Sequence, residues 1–171
     1  MLKARDGLAS AMAMTIRHAR DSDNADLRRA FIELQEVERS LHDSRVPGAE
    51  VADRYLASLW HHARHDGGAI FVAEESGLFR GFLACLVAQD ARIIETPDSN
   101  RCGYVSDICV VSEARGQGIA QLLLAAAEAH LATRGVVRLR LGALAGNTAA
   151  QSAYRRYGFA PYEIVLEKRI G

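Results

Sequence analysis

Two glycines separated by a single residue stand between an apolar segment and a helix-like segment of this chain. They belong to residues 115–120, Arg-Gly-Gln-Gly-Ile-Ala, which follow a predicted strand at 104–111 and begin a predicted helix at 119–134. The first N–H groups of a helix lack partners within it, and the aligned peptide dipoles give that end partial positive charge. Glycine has no Cβ, so the backbone can approach a bulky ligand closely. The pattern therefore predicts a binding site for an anion, and first of all for a pyrophosphate.

Two common nucleotide-binding motifs fit this segment poorly. A dinucleotide fingerprint needs a third glycine, and Gln121 stands in its place. A phosphate-binding loop of the nucleoside triphosphatase type needs Gly-Lys followed by Ser or Thr, and the sequence contains no such run. The cofactor must therefore be inferred from the rest of the chain.

The elements around this segment predict an α/β fold with a mixed sheet. The predicted strands are short apolar or alternating runs, and they cover residues 15–19, 69–74, 80–88, 104–111, 136–141 and 162–168. The predicted helices carry apolar residues at helical spacing, and they cover residues 27–41, 51–60, 119–134 and 148–157. We expect a central sheet of about six strands with about four helices, antiparallel in its first half and with a parallel crossover in its second half.

Composition narrows the class of protein. The 171 residues suit one domain, which we place at 15–171, after a weakly specified N-terminal leader at 1–14. Lys plus Arg and Asp plus Glu number 21 each, so the chain lacks the net positive charge that would indicate binding to nucleic acid. Three cysteines without a CxxC spacing predict neither a disulfide framework nor a zinc site, and they favour a reducing, cytoplasmic setting. The apolar runs are too short to span a bilayer.

Two segments of the sequence resemble one known family. Residues 115–120 match the pattern Q/R-x-x-G-x-G/A, with Arg115 first, Gly118 in the glycine position and Ala120 last. Residues 147–159 match a second pattern, N-x-x-A-x-x-x-Y-x-x-x-G-F, in the expected order along the chain. Both patterns are those of the GNAT superfamily of N-acetyltransferases. The resemblance is specific over residues 104–168, and over 15–90 it extends only to the order of elements.

The resemblance implies a co-substrate and the residues that bind it. The co-substrate is acetyl-CoA, and no metal ion is expected. Its pantetheine arm is implied to lie along the backbone of the fourth strand, and its pyrophosphate in the loop. The implied cofactor-binding residues are Ile108, Cys109, Val110, Arg115, Gly116, Gln117, Gly118, Ile119, Ala120 and Asn147. The family's tyrosine, which protonates the departing thiolate, corresponds to Tyr154.

Acetyl transfer to an amine needs three kinds of group. The thioester oxygen needs fixed donors, for which the N–H groups of Cys109 and Val110 are candidates. The ordinary pKa of tyrosine is about 10 and that of a thiol about 8.5, so Tyr154 either has a lowered pKa or acts mainly by hydrogen bonding. The amine must lose a proton, and Asp107 is the candidate base. Strand alternation places it on one face with Val105 and Cys109, away from the core helix.

Each of these residues also has a structural interpretation. Asn147 alone would be a helix cap, Tyr154 a buried tyrosine with a satisfied hydroxyl, and Asp107 a carboxylate paired with an arginine. Further candidates for lining the acceptor site are the glutamates of the first helix, Glu33, Glu36 and Glu38. The histidines within residues 61–65 are expected to form a solvated helix end and not a metal site.

We therefore predict an acetyl-CoA-dependent N-acetyltransferase that transfers acetyl directly, in a ternary complex, to a primary amine of a small molecule or peptide. The alternatives are a non-catalytic acyl-CoA-binding or sensing domain and an enzyme for longer acyl groups. Neither nucleic acid nor a membrane is expected as a partner. A homodimer formed through the sheet edge of the final strand is a further expectation. The sequence does not identify the acceptor.

Overall fold

The computed structural model of the chain describes residues 14–90 and 93–170. The leader expected at residues 1–14 lies outside the described residues, apart from Met14, which is the first residue of strand β1. Within the described residues, none of the helices combines the length and apolar character that a membrane crossing requires.

The strands and helices follow the predicted order as far as α5, with one additional short helix. The strands are Met14–His18 (β1), Ala69–Glu75 (β2), Leu78–Gln89 (β3), Arg101–Val110 (β4) and Leu139–Leu141 (β5). The helices are Asn24–Leu41 (α1), Gly48–His65 (α2), Pro97–Asn100 (α3), Ile119–Ala132 (α4) and Thr148–Tyr157 (α5). The short helix α3 lies where the sequence indicated only a turn.

The strands form one mixed sheet in sequence order. Strands β1 to β4 pair antiparallel, and β5 pairs parallel with β4 after the connection through α4. The predicted α/β fold with an antiparallel first half and a parallel crossover is therefore confirmed. Among the described residues the sheet has five strands and the chain five helices.

The sheet is covered on both faces, and strand β2 shows how. Its side chains alternate, so that Ile70 and Val72 pack with α1 and α2 while Phe71 and Ala73 pack with α4. The helices bury one face each because their apolar residues recur at helical spacing. The buried helix residues are Leu27, Ala30 and Phe31 in α1, Ala52, Leu56 and Leu59 in α2, and Leu123, Leu124, Ala127 and Leu131 in α4.

A two-residue turn joins β2 to β3 and confirms the predicted hairpin. Ser76 and Gly77 have φ angles of 52° and 78°. Tight hairpins need such positive values because they match the twist of the flanking strands.

A β-bulge in β4 changes which residues share a face with Asp107. The register between β3 and β4 shifts at Ser106, which has no partner residue in β3. Val105 packs in the cluster beneath α4, whereas Cys109 packs in the cluster beneath α1 and α2. The prediction that Asp107 and Val105 share a face is therefore wrong, because simple alternation assumes an unbroken strand. Asp107 does lie on the side of α2, with Cys109.

The chain after α5 forms no regular element. Residues 158–170 contain neither helix nor strand, so the predicted strand at 162–168 is wrong for the single chain. We call residues 159–170 the C-terminal arm. The sheet ends instead at β5, which has no neighbour beyond it among the described residues. The dimer contact expected through the edge of a final strand therefore has no such edge in the sheet.

Candidate active site

The strands β4 and β5 separate after a short paired stretch. Pairing with β5 involves only three residues of β4, Gly103, Tyr104 and Val105. Over residues 106–110 the edge of β4 that faces β5 has no strand partner in the described part of the chain. The separation leaves a wedge whose wall is unpaired backbone.

The direction of the backbone groups in this wall follows from one hydrogen bond. The N–H of Val111 donates to the carbonyl of Arg80 on β3 at 3.0 Å. Successive residues of a strand turn their N–H groups to opposite edges, and the register from residue 107 to 110 is unbroken. The N–H of Cys109 therefore faces β3, while those of Ile108 and Val110 face the wedge.

The bulge at Ser106 decides this outcome. Before the bulge, the N–H of Gly103 donates to the carbonyl of Arg138 beside β5 at 2.8 Å. Without an inserted residue, the odd-numbered N–H groups would continue to face β5. The bulge reverses the alternation and turns Val110 toward the wedge. Of the two N–H groups that the sequence offers as candidate oxyanion donors, only that of Val110 faces the wedge.

A cavity of about 550 Å³ occupies the wedge. Its walls are the unpaired edge of β4, the loop of residues 115–120, the first turn of α4 and one face of α5. Apart from Gln117, every cofactor-binding residue expected from the sequence lines it: Ile108, Cys109, Val110, Arg115, Gly116, Gly118, Ile119, Ala120 and Asn147. Tyr154 lines the same cavity. Residues far apart in the chain are thus brought to one place.

The loop at the end of this cavity has free backbone donors. Gly116 and Gly118 have φ angles of 80° and 79°, and Gly118 is the N-cap of α4. The N–H groups of Gly118, Ile119 and Ala120 have no hydrogen-bond acceptor among the described residues. They lie at the positive end of the α4 dipole, which is the arrangement that holds a phosphate group. The loop therefore fits the pyrophosphate of a CoA ester.

The side chain of Arg115 forms hydrogen bonds with two neighbouring elements, β4 and α1. Its Nε donates to the carbonyl of Val110 at 3.0 Å, and its guanidinium also donates to the Glu33 carboxylate at 2.5 Å. The first bond ties the loop to the end of β4. The second bond joins the loop to α1 and offsets positive charge at the mouth of the cavity.

Asn147 combines its structural and its functional interpretation. Its side-chain oxygen accepts from the N–H of Ala150 at 3.1 Å, which caps α5. Its amide nitrogen has no hydrogen bond within the described residues, and the residue lines the cavity. The cap fixes the side chain so that the two N–H donors remain for a ligand.

Tyr154 is half-buried in the wall of the first cavity. Its ring packs edge-on against Phe159, with the centroids 6.1 Å apart. In the described part of the chain, nothing forms a hydrogen bond with its hydroxyl, so the satisfied core tyrosine is not observed. Burial raises its pKa to about 12, helped by the negative charge of Glu38 and by Cys109. This is the opposite of the lowered pKa considered from the sequence.

A second cavity of about 700 Å³ adjoins the first, because Leu34 of α1 lines both. It lies between α1, α2, the bulged part of β4 and the loop that follows β5. Asp107, Tyr55 and Glu38 are among its lining residues. An acceptor placed here would approach the first cavity from the side of α1 and α2.

Asp107 is a buried residue whose carboxylate accepts a hydrogen bond from α2. Its side chain accepts the hydroxyl of Tyr55 at 2.9 Å, and the ring of Tyr55 stacks on Phe31. Burial raises the pKa of Asp107 to about 6, although hydrogen bonds from Ser106 and Tyr55 act in the opposite direction. It has no ion pair with an arginine among the described residues, so that structural interpretation is not supported.

Of the three glutamates expected near the acceptor, only Glu38 lines the second cavity, where it pairs with Arg45 at 2.8 Å. Glu33 is committed to Arg115. Glu36 accepts the N–H of Gly48 at 2.8 Å and so serves the start of α2. Helical spacing explains the difference, because three positions within one and a half turns cannot all face one way.

The histidines at the end of α2 form local contacts. His62 meets Asp66 at 2.6 Å, and the rings of His61 and His65 lie 4.8 Å apart. The described residues include no group of three or more His, Cys, Asp or Glu placed to hold a metal ion.

Sequence reasoning missed several residues of the two cavities. Tyr55 was only one member of an apolar stripe, and nothing local indicates that its hydroxyl reaches β4. The small side chains Ala149 and Ala153 lie one turn apart on α5 and leave room for a ligand. That small-residue spacing was the one signal in the sequence that could have identified this face.

Comparison with known proteins identifies the family. The model of the Acetyltransferase (GNAT) family matches residues 29–159. The chain is 31% identical over 121 residues to N-alpha-acetyltransferase 30 of Schizosaccharomyces pombe, covering 71% of this chain and 73% of that protein. It is 28% identical over 127 residues to GCN5-related N-acetyltransferase 6, chloroplastic, of Arabidopsis thaliana, covering 74% of this chain and 38% of that protein.

Solved structures share the fold at low identity. The aminoglycoside N-acetyltransferase AAC(6')-Iy in complex with CoA has a TM-score of 0.69 at 21% identity, covering 92% of this chain and 95% of its own. A GCN5-related N-acetyltransferase from Ralstonia eutropha has a TM-score of 0.72 at 23% identity, covering 93% of this chain and 100% of its own. The family model spans most of the chain and includes both motifs. The chain therefore belongs to the GNAT family of acetyltransferases and is an acetyl-CoA-dependent N-acetyltransferase.

Proposed function

We propose that this enzyme transfers the acetyl group of acetyl-CoA directly to a primary amine of a small molecule or peptide while both substrates are bound. The observation that carries the proposal is the pair of adjoining cavities, one bordered by the anion-binding loop and Tyr154 and the other by Asp107. A thioester and an amine can meet where the cavities join. The nearby Cys109 is a poor nucleophile because burial raises its pKa to about 12, which supports transfer without an acyl-enzyme.

The co-substrate supplies the acetyl thioester, and the chain's own groups position it. We assign the pyrophosphate to Arg115 and the free N–H groups at the start of α4, and the pantetheine arm to the unpaired edge of β4. The side-chain amide of Asn147 is a further donor. The N–H of Val110 is assigned to the carbonyl oxygen, where it would stabilise the negative charge that develops during attack.

Asp107 is the proposed base, and its pKa of about 6 bears on the kind of amine. An α-amino group has an ordinary pKa of about 8, and an alkyl ammonium group about 10. Proton transfer to Asp107 is then uphill by roughly 3 kcal/mol from the first and roughly 5 to 6 kcal/mol from the second. This difference favours acceptors with an α-amino group. The relative from S. pombe is by name an N-alpha-acetyltransferase, which agrees with this preference.

Tyr154 is the proposed proton donor to the departing sulfur. Its pKa of about 12 exceeds that of a thiol in water, about 8.5, by about 3.5 units, so transfer to a solvated thiolate would be uphill by roughly 5 kcal/mol. Burial raises thiol pKa values in this protein as well, to about 11 at Cys85 and about 12 at Cys109. A thiolate formed in the cavity beside Tyr154 and Cys109 would have its pKa raised by the same partial burial, which brings the transfer closer to balance.

The test is turnover on a panel of amines. Acetyl-CoA with a suitable acceptor should release free CoA, and Tyr154→Phe should slow that release at saturating substrate. Tyr157→Phe is the matched control, because Tyr157 lies on the same helix with its hydroxyl directed to Glu128 at 3.0 Å. Equal rates for Tyr154→Phe and the control would remove Tyr154 from the acid role.

Further measurements separate the alternatives. Initial rates at varied concentrations of both substrates should give intersecting lines, whereas parallel lines would indicate an acyl-enzyme. Binding of CoA without turnover on any amine would support a sensing domain. Competition among acyl-CoAs of different chain length tests for a longer acyl group.

We also propose that residues 15–171 act as one acetyltransferase domain in the cytoplasm. The three cysteines are unpaired and buried, which supports a reducing compartment.

A further inference from the structure

The second cavity, where the acceptor is proposed to bind, is lined by charges of both signs. Among the described residues, its charged side chains are Glu38, Asp107, Arg45 and Arg54. Glu38 and Arg45 pair with each other at 2.8 Å, so neither is left for a ligand. Asp107, as the proposed base, is assigned to the amine. The guanidinium of Arg54 is the remaining charge, and it is a cation in the wall of a site that must admit an amine.

Arg54 has no anion to neutralise it. Among the residues that the structure describes, none forms a hydrogen bond or an ion pair with its guanidinium. The neighbouring acidic residues of α2 do not serve, because Asp53 pairs with Arg28 at 2.8 Å and Glu50 forms no ion pair within the described part of the chain. Arg54 is exposed, so water solvates its charge until an anionic group replaces that water. A guanidinium binds a carboxylate especially well, through two parallel N–H donors.

Helix α2 brings Arg54 close to the group that holds the proposed base. Arg54 directly precedes Tyr55, whose hydroxyl donates to Asp107 at 2.9 Å. Val51 and Ser58, which lie about one turn before and one turn after Arg54, line the same cavity. This face of α2 therefore presents Arg54 to the acceptor, one helix position away from the residue that contacts Asp107.

We propose that Arg54 determines specificity by binding a carboxylate of the acceptor, so that the acceptor is an α-amino compound with an anionic group near its amine. This inference rests on the acceptor site of the proposed function. An acceptor with charges of both signs places its ammonium at Asp107 and its carboxylate at Arg54. The carboxylate is either the end of a very short peptide or an acidic side chain at the first position of a longer one, since both offer the same pair of oxygens.

The same charge disfavours acceptors that carry only positive groups. A polyamine would bring further ammonium groups to a wall that already contains Arg54, and like charges across an interface cost affinity. The carboxylates of the cavity do not change this balance, because Glu38 is paired with Arg45 and Asp107 is assigned to the reacting amine. Spermidine is therefore expected to be a weaker acceptor than an α-amino compound with a carboxylate.

The first experiment measures the binding of matched peptides by calorimetry, with the enzyme saturated with CoA. One pair is alanyl-alanine and alanyl-alanine amide, and the other is aspartyl-alanine amide and asparaginyl-alanine amide, so each pair differs in one carboxylate. In at least one pair the carboxylate peptide should bind about 10-fold more tightly, because a hydrogen bond between two charged groups is stronger than one to a neutral amide. The pair that responds identifies the source of the carboxylate. Equal binding within both pairs would overturn the proposal.

Variants of Arg54 test the residue itself. Arg54→Gln should remove the preference of about 10-fold and leave the binding of the neutral peptides unchanged, and Arg54→Glu should reverse it in favour of lysyl-alanine amide. The matched control is Arg134→Gln, which should keep the preference. Arg134 is also exposed, lies outside both cavities and has no ion pair among the described residues. A preference that survives Arg54→Gln, or one that Arg134→Gln abolishes equally, would refute the assignment.

Turnover separates this inference from the proposed function. With acetyl-CoA, the kcat/KM values of the same peptides should follow the binding preference, mainly through KM, because Arg54 contacts the acceptor away from the reacting atoms. Equal rates for all the peptides, with spermidine at least as fast, would leave an acetyltransferase without the carboxylate site. Absence of turnover on every amine would refute the proposed function, and the binding measurements would still decide whether Arg54 holds a carboxylate.

Discussion

Replacing Asp107 with asparagine should make the protein more stable at neutral pH and less active. Asp107 is 7% exposed, and burial raises the pKa of its carboxyl group from 3.8 to about 6. Each pKa unit corresponds to about 1.36 kcal/mol, so the ionised carboxylate costs the folded state roughly 3 kcal/mol at pH 7. Asparagine keeps an oxygen that can accept the hydroxyl of Tyr55, and it carries no charge to bury.

The sign of the pH dependence follows from the direction of the shift. At pH values below 3.8 the carboxyl of Asp107 is protonated in both the folded and the unfolded states, and the cost is absent. As the pH rises from 3.8 to about 6, the unfolded state ionises freely and the folded state does not, so stability is lost. The advantage of Asp107→Asn should therefore grow across this window and stay constant above it.

Urea unfolding of both proteins at about pH 4 and about pH 7 measures the effect. Asp98→Asn is the matched control, because Asp98 is paired with Arg138 at 2.8 Å and its pKa is lowered, chiefly by a side-chain hydrogen bond with Thr96 and then by Arg138. Asp98→Asn should therefore lower the free energy of unfolding at neutral pH, whereas Asp107→Asn should raise it. An Asp107→Asn advantage that is the same at both pH values would refute the burial argument.

Activity gives a second, independent readout of Asp107. As a base it must be ionised, so kcat/KM of the wild type should rise with pH through about 6, and Asp107→Asn should lack this limb. If Asp107→Asn is more stable and fully active, the raised pKa of Asp107 is supported but its role as the catalytic base is refuted.

Three further changes test the cofactor cavity. Gly118→Ala puts a side chain at a φ of 79°, a strain of about 1–2 kcal/mol, and should weaken CoA binding in calorimetry about 5- to 30-fold. Gly77→Ala, at a φ of 78° in the distant hairpin, should lower stability without changing CoA affinity, and equal affinities in the two variants would contradict a CoA site at the loop of residues 115–120. Asn147→Ala removes the α5 cap and should cost about 1 kcal/mol of unfolding free energy together with a higher KM for acetyl-CoA; a change in stability alone would leave only the cap. Glu33→Gln frees Arg115 from its ion pair and should lower that KM at low salt but not at high salt, whereas a higher KM would mean that Glu33 positions the arginine.

Much of the fold was predictable because its signals are local. The glycine-containing loop before α4, the hairpin at Ser76 and Gly77, and the helical spacing of apolar residues in α1 and α4 all depend on near neighbours in sequence. The C-terminal arm shows the limit of this approach. Its alternation is a strand pattern, but a strand needs a partner, and no local signal states whether the partner belongs to the same chain.

The candidate site divides in the same way. The sequence placed the anion-binding residues 115–120 and the helix that begins with Asn147, because each motif is contiguous. It could not place the bulge at Ser106, which reverses the alternation of β4 and turns the N–H of Val110, and not that of Cys109, toward the cavity.

By itself, then, the sequence determined the family, the α/β order of elements and the loop that we propose binds the co-substrate. Only the tertiary structure decided the electrostatics of the residues proposed for catalysis. Asp107 acquires a pKa of about 6 and Tyr154 one of about 12 because helices and strands distant in sequence bury the first and partly bury the second. Burial is a property of the whole packed molecule, and no short stretch of residues encodes it.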